Sequence, residues 1–179
     1  TVGVAAVSDV MATALFEQAY VEGHSIMFWV AFGMMFLGLT EYSIKPWELT
    51  ANTKAIFKRS LIGGAVNVGL NLILIKLLGS YYIASVTTFI GFFVYFLLAR
   101  YGTRSQLRWK LKGKSLFRIL LSAGIMYLAI YILKIFMPFN KINLVLFVFC
   151  GMIVYGLVLY ISGEVKNEAN LVLNKIIKK

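Results

Sequence analysis

In a chain this apolar, few side chains can do chemistry, and their spacing is informative. Asn67 and Asn71 stand four residues apart inside the apolar run 61–78, and Gly64 precedes Asn67 by about one turn. At helical spacing the two amides share one face, with Gly64 on nearly the same face. In hydrocarbon each amide needs a hydrogen-bonding partner. Two uses stay open. The amides bond across to a neighbouring helix where a small residue permits close approach, or they line a hydrated translocation path. Asp9 lies among Val, Ala and Met in the run 1–16. An acid in that setting is a possible coupling site for a cation or a proton. A third group, Arg100, Arg104, Arg108, Lys110, Lys112 and Lys114, crowds one connector with no acid between them. Such cations hold topology and attract anionic headgroups at about 1 kcal/mol each. Bond-making chemistry has no constellation here. There is no Ser/His/Asp set, no pair of carboxylates in one apolar run and no Gly-rich phosphate loop. One His and one Cys exclude a Cys/His metal site and a disulfide framework. Catalysis, a metal and a cofactor are therefore not expected of this segment.

The elements that carry these residues follow from composition. The 179 residues are 60% apolar and 14% charged, with a formal net charge of +11 and a mean hydropathy of +0.83. Soluble domains have about 45–50% apolar and about 25% charged residues, so a water-soluble fold is excluded. The abundance of Phe, Tyr, Ile, Leu and Val excludes disorder. A bilayer core about 30 Å thick takes roughly 20 apolar residues as a helix. Five stretches qualify: about 26–40, 61–78, 81–99, 116–137 and 144–162. Each is apolar all round, as a span facing lipid and neighbours must be. The run 1–16 is too short to span comfortably and reads as the end of a helix. A secretory signal is disfavoured, because no basic segment precedes the apolar run. The predicted fold is all-α: a polytopic helical membrane protein with five complete spans and the end of a sixth.

Charge orients the spans. Connector 43–60 carries Lys45, Lys54, Lys58 and Arg59. Connector 100–118 carries the six cations above and Arg118. The tail carries Lys166, Lys175, Lys178 and Lys179, and the only other basic residues are Lys76, Lys134 and Lys141. Rich and poor connectors alternate along the chain, so the positive-inside rule places the first connector outside and the C-terminus in the cytoplasm. Topology also accounts for the basic charge without nucleic acid, which is not an expected partner; the bilayer is.

Smaller signals fill in the connectors. Gly79 and Ser80 leave room only for a helical hairpin. Pro46 interrupts the apolar pattern, and from Trp47 to Lys58 the pattern is amphipathic, with Trp47 an interface anchor. Ser115 is placed to cap the fourth span, and Pro138 marks the turn before the fifth. Ser85, Thr87 and Thr88 are expected to bond back to their own helix, and Lys76 to snorkel. Glu17, Glu22 and His24 form a small external cluster, read as a solvated loop. The tail 164–179 reads as an amphipathic surface helix.

The stretch 51–100 carries a resemblance. Ala51-Asn52-Thr53-Lys54 precedes a span containing Ala65-Val66-Asn67-Val68-Gly69-Leu70-Asn71-Leu72-Ile73-Leu74-Ile75, followed by Gly79 and then Ala84 to Thr88. This resembles the C-terminal lobe of the polysaccharide and oligosaccharidyl-lipid flippases, in the multidrug/oligosaccharidyl-lipid/polysaccharide exporter superfamily. Leu15-Phe16-Glu17-Gln18-Ala19-Tyr20 is similar to that family's external segment, with Glu17 where a Gly is usual. Lys76 stands where the family often has Pro, and Tyr82-Ile83-Ala84-Ser85 replaces its usual small-residue turn. The resemblance implies two six-helix lobes plus two extra C-terminal helices in the complete protein. Residues 1–100 would end the second lobe, 101–163 would be the basic connector and the two additional spans, and 164–179 a cytoplasmic tail. It further implies a lipid-linked glycan as substrate, moved by alternating access in the cell membrane, with an N-terminal lobe as partner. Two other functions are open: a cation-coupled multidrug exporter of the same superfamily, sensitive at Asp9, and a small scaffold protein of envelope synthesis.

Overall fold

A computed structural model describes residues 1–15, 23–80, 82–106 and 112–164. Their secondary structure is helical: α1 (Val2–Leu15), α2 (His24–Ser43), α3 (Lys45–Leu49), α4 (Thr53–Leu78), α5 (Tyr82–Gly102), α6 (Gly113–Phe136) and α7 (Lys141–Ile161). Five of these, α2, α4, α5, α6 and α7, are long and apolar enough to cross a membrane. The protein is thus an all-α polytopic membrane protein, with the short apolar helix α1 beside its five spans.

The helix ends follow local chemistry. The α4 helix begins where the Asn52 side chain accepts a hydrogen bond from the Ala55 backbone N–H, at 3.2 Å. It ends at Gly79, whose φ of 63° is left-handed and whose N–H closes the last turn on the Ile75 carbonyl. Glycine takes that conformation without steric cost, which permits the tight turn into α5. Asn140 caps α7 in the same manner, accepting from the Asn143 N–H at 2.7 Å. The α6 helix differs from expectation. It starts at Gly113, Lys112 occupies the cap position with no side-chain bond, and Ser115 lies inside the first turn.

The α4 helix also starts eight residues before the expected span. Its 26 residues reach about 39 Å, more than a hydrocarbon core. The surplus turns carry Lys54, Lys58 and Arg59, cations that suit a headgroup layer rather than hydrocarbon. The amphipathic stretch after Trp47 is therefore two pieces. Helix α3 stops at Leu49, Ala51 adopts a positive φ of 51°, and α4 begins anew.

The spans pack as two groups. Helix α5 lies between α2 and α4, α6 pairs with α7, and α1 touches α2, α6 and α7. The core divides in the same way. One cluster joins Ala6, Val7 and Val10 of α1 to Met126 and Ile130 of α6 and to Leu144 and Phe147 of α7. The other joins Ile44, Trp47 and Ala99 where α3 meets α4 and α5. Trp47, expected as an interface anchor, is instead buried, and the Arg59 guanidinium lies over its ring at 4.1 Å.

Helices α2 and α5 run parallel. Trp29, Phe32 and Phe36 of α2 all pack on Phe89 of α5, and Phe36 also meets Phe93 and Phe96 further along, with ring centroids 4.9–5.8 Å apart across the seam. Trp29 Nε1 donates to the Tyr82 hydroxyl at one end of this ladder. Edge-to-face and offset contacts of this kind contribute about 0.5–1.5 kcal/mol per pair beyond their area.

Candidate functional site

The amides of α4 face α5. Asn71 Nδ2 donates to Asn67 Oδ1 at 2.9 Å, and the Thr87 hydroxyl lies 2.6 Å from Asn71 Oδ1. Asn67 Nδ2 in turn reaches the Thr88 hydroxyl at 3.5 Å, which donates to the Ala84 carbonyl at 2.7 Å. The result is one directed hydrogen-bond chain from Thr87 through Asn71 and Asn67 to Thr88, ending on backbone. The residues are wholly or partly buried in the α4–α5 seam. Each amide therefore uses one polar atom on the other amide within α4 and one on a threonine of α5, the cross-helix half being the kind of bond that holds membrane helices together.

The glycine that α4 brings to this seam is Gly63, four residues before Asn67. Gly63 is buried against Gly91 and Tyr95 of α5. Gly64, expected to share the amide face, is exposed, and no atom lies within 4 Å of where its Cβ would stand. The signal for Gly63 was present as the constant spacing of four among positions 63, 67 and 71.

Of the α5 hydroxyls, Ser85 bonds back to the Tyr82 carbonyl at 2.6 Å and Thr88 to Ala84. Thr87 has Ala84 O at 3.0 Å but the Asn71 amide oxygen closer. The back-bonding expected of all three is thus present in each, and Thr87 is in addition a cross-helix partner.

Asp9 forms an ion pair with Lys134 near the end of α6. The Lys134 side chain is 13% exposed and the Asp9 side chain 40%. Lys134 also stands 6.0 Å from the centre of the Phe139 ring. The residues are 125 positions apart, and no local pattern ties one to the other. A carboxylate already paired with a fixed cation does not need a second cation to neutralise it.

The basic connector is described in part. Arg100 lies in the last turn of α5, Arg104 in the exposed turn that follows, and Lys112 and Lys114 at the start of α6. Arg108 and Lys110 fall outside the described residues, as do Glu17, Glu22 and the tail from 165. Lys112 and Lys114 sit at a helix N-terminus, where the helix dipole repels cations. Their placement is therefore not explained by helix stability. Arg118 differs, because its guanidinium donates to Glu164 at 3.1 Å and joins the start of α6 to the end of α7. On α3, the hydrogen bond from Lys45 to Glu48, at 2.6 Å, raises the Lys45 pKa above its ordinary 10.5.

Glu41, in the last turns of α2, was not singled out from sequence. It is exposed and acts electrostatically on Lys45. Among the described residues no three His, Cys, Asp or Glu side chains are grouped to hold a metal ion.

No protein-family model, curated protein or solved structure matches the chain.

Proposed function

We propose that this chain is the C-terminal part of a transporter that flips lipid-linked oligosaccharide or polysaccharide precursors across the cell membrane by alternating access. One observation carries the reading. The stretch that bears the family resemblance, residues 51–100, is a single structural unit: a long helix, a left-handed glycine turn and an antiparallel return helix sealed by Asn67, Asn71, Thr87 and Thr88. Alternating access needs rigid bodies that move against one another, and a span pair joined by a polar seam suits that role. The two-group packing, with α6 and α7 apart from α2, α4 and α5, supports it further.

In this reading the basic ends of the spans lie in the cytoplasm, as does the C-terminus, because cationic connectors are retained there. Lys112 and Lys114, set against the helix dipole, then act on topology and anionic headgroups rather than on α6 itself. The drug-exporter reading used Asp9 as a free coupling acid, and its pairing with Lys134 leaves that reading without a carrying observation.

The test is reconstitution of the longer protein in vesicles with a fluorescent lipid-linked oligosaccharide. Transfer of the probe between leaflets is expected. Correct insertion with no transfer, alongside resistance to cationic drugs on expression, would overturn the proposal.

A further inference from the structure

The α6–α7 hairpin meets the remaining helices mainly through α1. That contact has two parts. One is the apolar cluster of Ala6, Val7 and Val10 against Met126, Ile130, Leu144 and Phe147. Apolar packing is non-directional, and in lipid it gains no hydrophobic driving force. The other part is the Asp9–Lys134 pair, the charged contact between α1 and the hairpin. Arg118–Glu164, by contrast, stays within the hairpin and closes its opposite end. One ion pair therefore holds the hairpin together, and a different one holds it to its neighbour.

We propose that Asp9 and Lys134 form a latch that keeps the α6–α7 hairpin closed against α1. When the pair opens, the hairpin separates from α1 and uncovers Val10, while the seams of α2, α4 and α5 stay intact. The asymmetry of burial gives the latch its strength. Lys134 is the more deeply buried partner, so losing Asp9 strands a cation with no counter-charge, which costs far more than the pair itself contributes. This inference concerns packing within the chain and does not rest on the transport reading.

The experiment uses the full chain with Cys150 replaced by Ala and one reporter cysteine. Val10→Cys, fully buried one residue from Asp9, reports opening of the α1 contact. Ala99→Cys, fully buried in the other core cluster, reports the integrity of the α2–α4–α5 group. Labelling by a small maleimide is timed with Asp9→Asn, with Lys134→Gln, and with the exchange Asp9→Lys/Lys134→Asp. Each single change is expected to speed labelling at Val10→Cys by about tenfold or more and leave Ala99→Cys unchanged. The exchange is expected to restore slow labelling. Unaltered labelling at Val10→Cys in both single variants would overturn the latch. So would a rise at both reporters together, which would mean that the pair supports the whole fold. Should one single variant fail to insert, the other single variant and the exchange decide by the same labelling criteria. Failure of both single variants to insert would also overturn the latch, because the pair would then support the whole fold.

Discussion

Gly63 and Gly91 approach so closely that a Cβ on either would stand 2.9 Å from the other's carbonyl oxygen. The obstacle is backbone on both helices, so neither can yield without parting the seam. A Cβ on Gly91 would also meet the Asn67 Cβ at 2.9 Å. Gly63→Ala and Gly91→Ala are each expected to destabilise the protein by about 1–3 kcal/mol, the usual cost of overpacking. Thermal or denaturant unfolding in detergent measures this. Gly64→Ala and Gly69→Ala meet no atom within 4 Å and are expected to be neutral or to stabilise α4 by up to about 1 kcal/mol through helix propensity.

The hydrogen-bond chain through Asn71 predicts coupling. Asn71→Leu and Thr87→Val remove opposite ends of one 2.6 Å contact. Each is expected to cost about 0.6–2 kcal/mol, and the double variant less than the sum. A double-mutant cycle by unfolding gives the coupling energy. Strict additivity would separate the two side chains energetically despite their distance.

A third prediction concerns the junction of α3, α4 and α5. A Cβ at Gly102 would meet Trp47 Cη2 at 2.7 Å and Arg59 Nε at 2.8 Å. Arg59 is already committed, donating to the Ala55 carbonyl at 3.0 Å while covering Trp47. In a background retaining only Trp47 among the tryptophans, Gly102→Ala is expected to red-shift its emission as the ring is pushed outward. Arg59→Ala is expected to do the same and to cost about 0.5–2 kcal/mol through the lost cation–π contact. Unchanged emission in both variants would refute this account of the junction.

The spans were legible because lipid demands helices that are apolar all round, a requirement written into every stretch of about 20 residues. The first two turns of α4 escaped, since a helix continuing through headgroups looks like any amphipathic connector. The amide face was legible from its period of four, but the glycine read with it was Gly64, whereas the packed one is Gly63, a full period of four before Asn67. Pairings between distant stretches were not. Nothing near Asp9 refers to Lys134, because an ion pair between remote helices leaves no periodic trace. The aromatic ladder had a trace in Trp29, Phe32 and Phe36 and in Phe89, Phe93 and Phe96. Phenylalanine serves lipid-facing and helix-facing positions alike, so that spacing alone did not bring α2 to α5.

The parallel seam of α2 and α5 sets a schedule for biogenesis. Trp29 and Tyr82 are 53 residues apart in the chain, and α3 and α4 emerge between them. At about 5–20 residues per second of synthesis, α2 waits roughly 3–10 seconds for its aromatic mate. During that interval its phenylalanine ridge must be sheltered by lipid or by the insertion machinery, so a ribosomal stall within α4 would leave it open to the wrong neighbours.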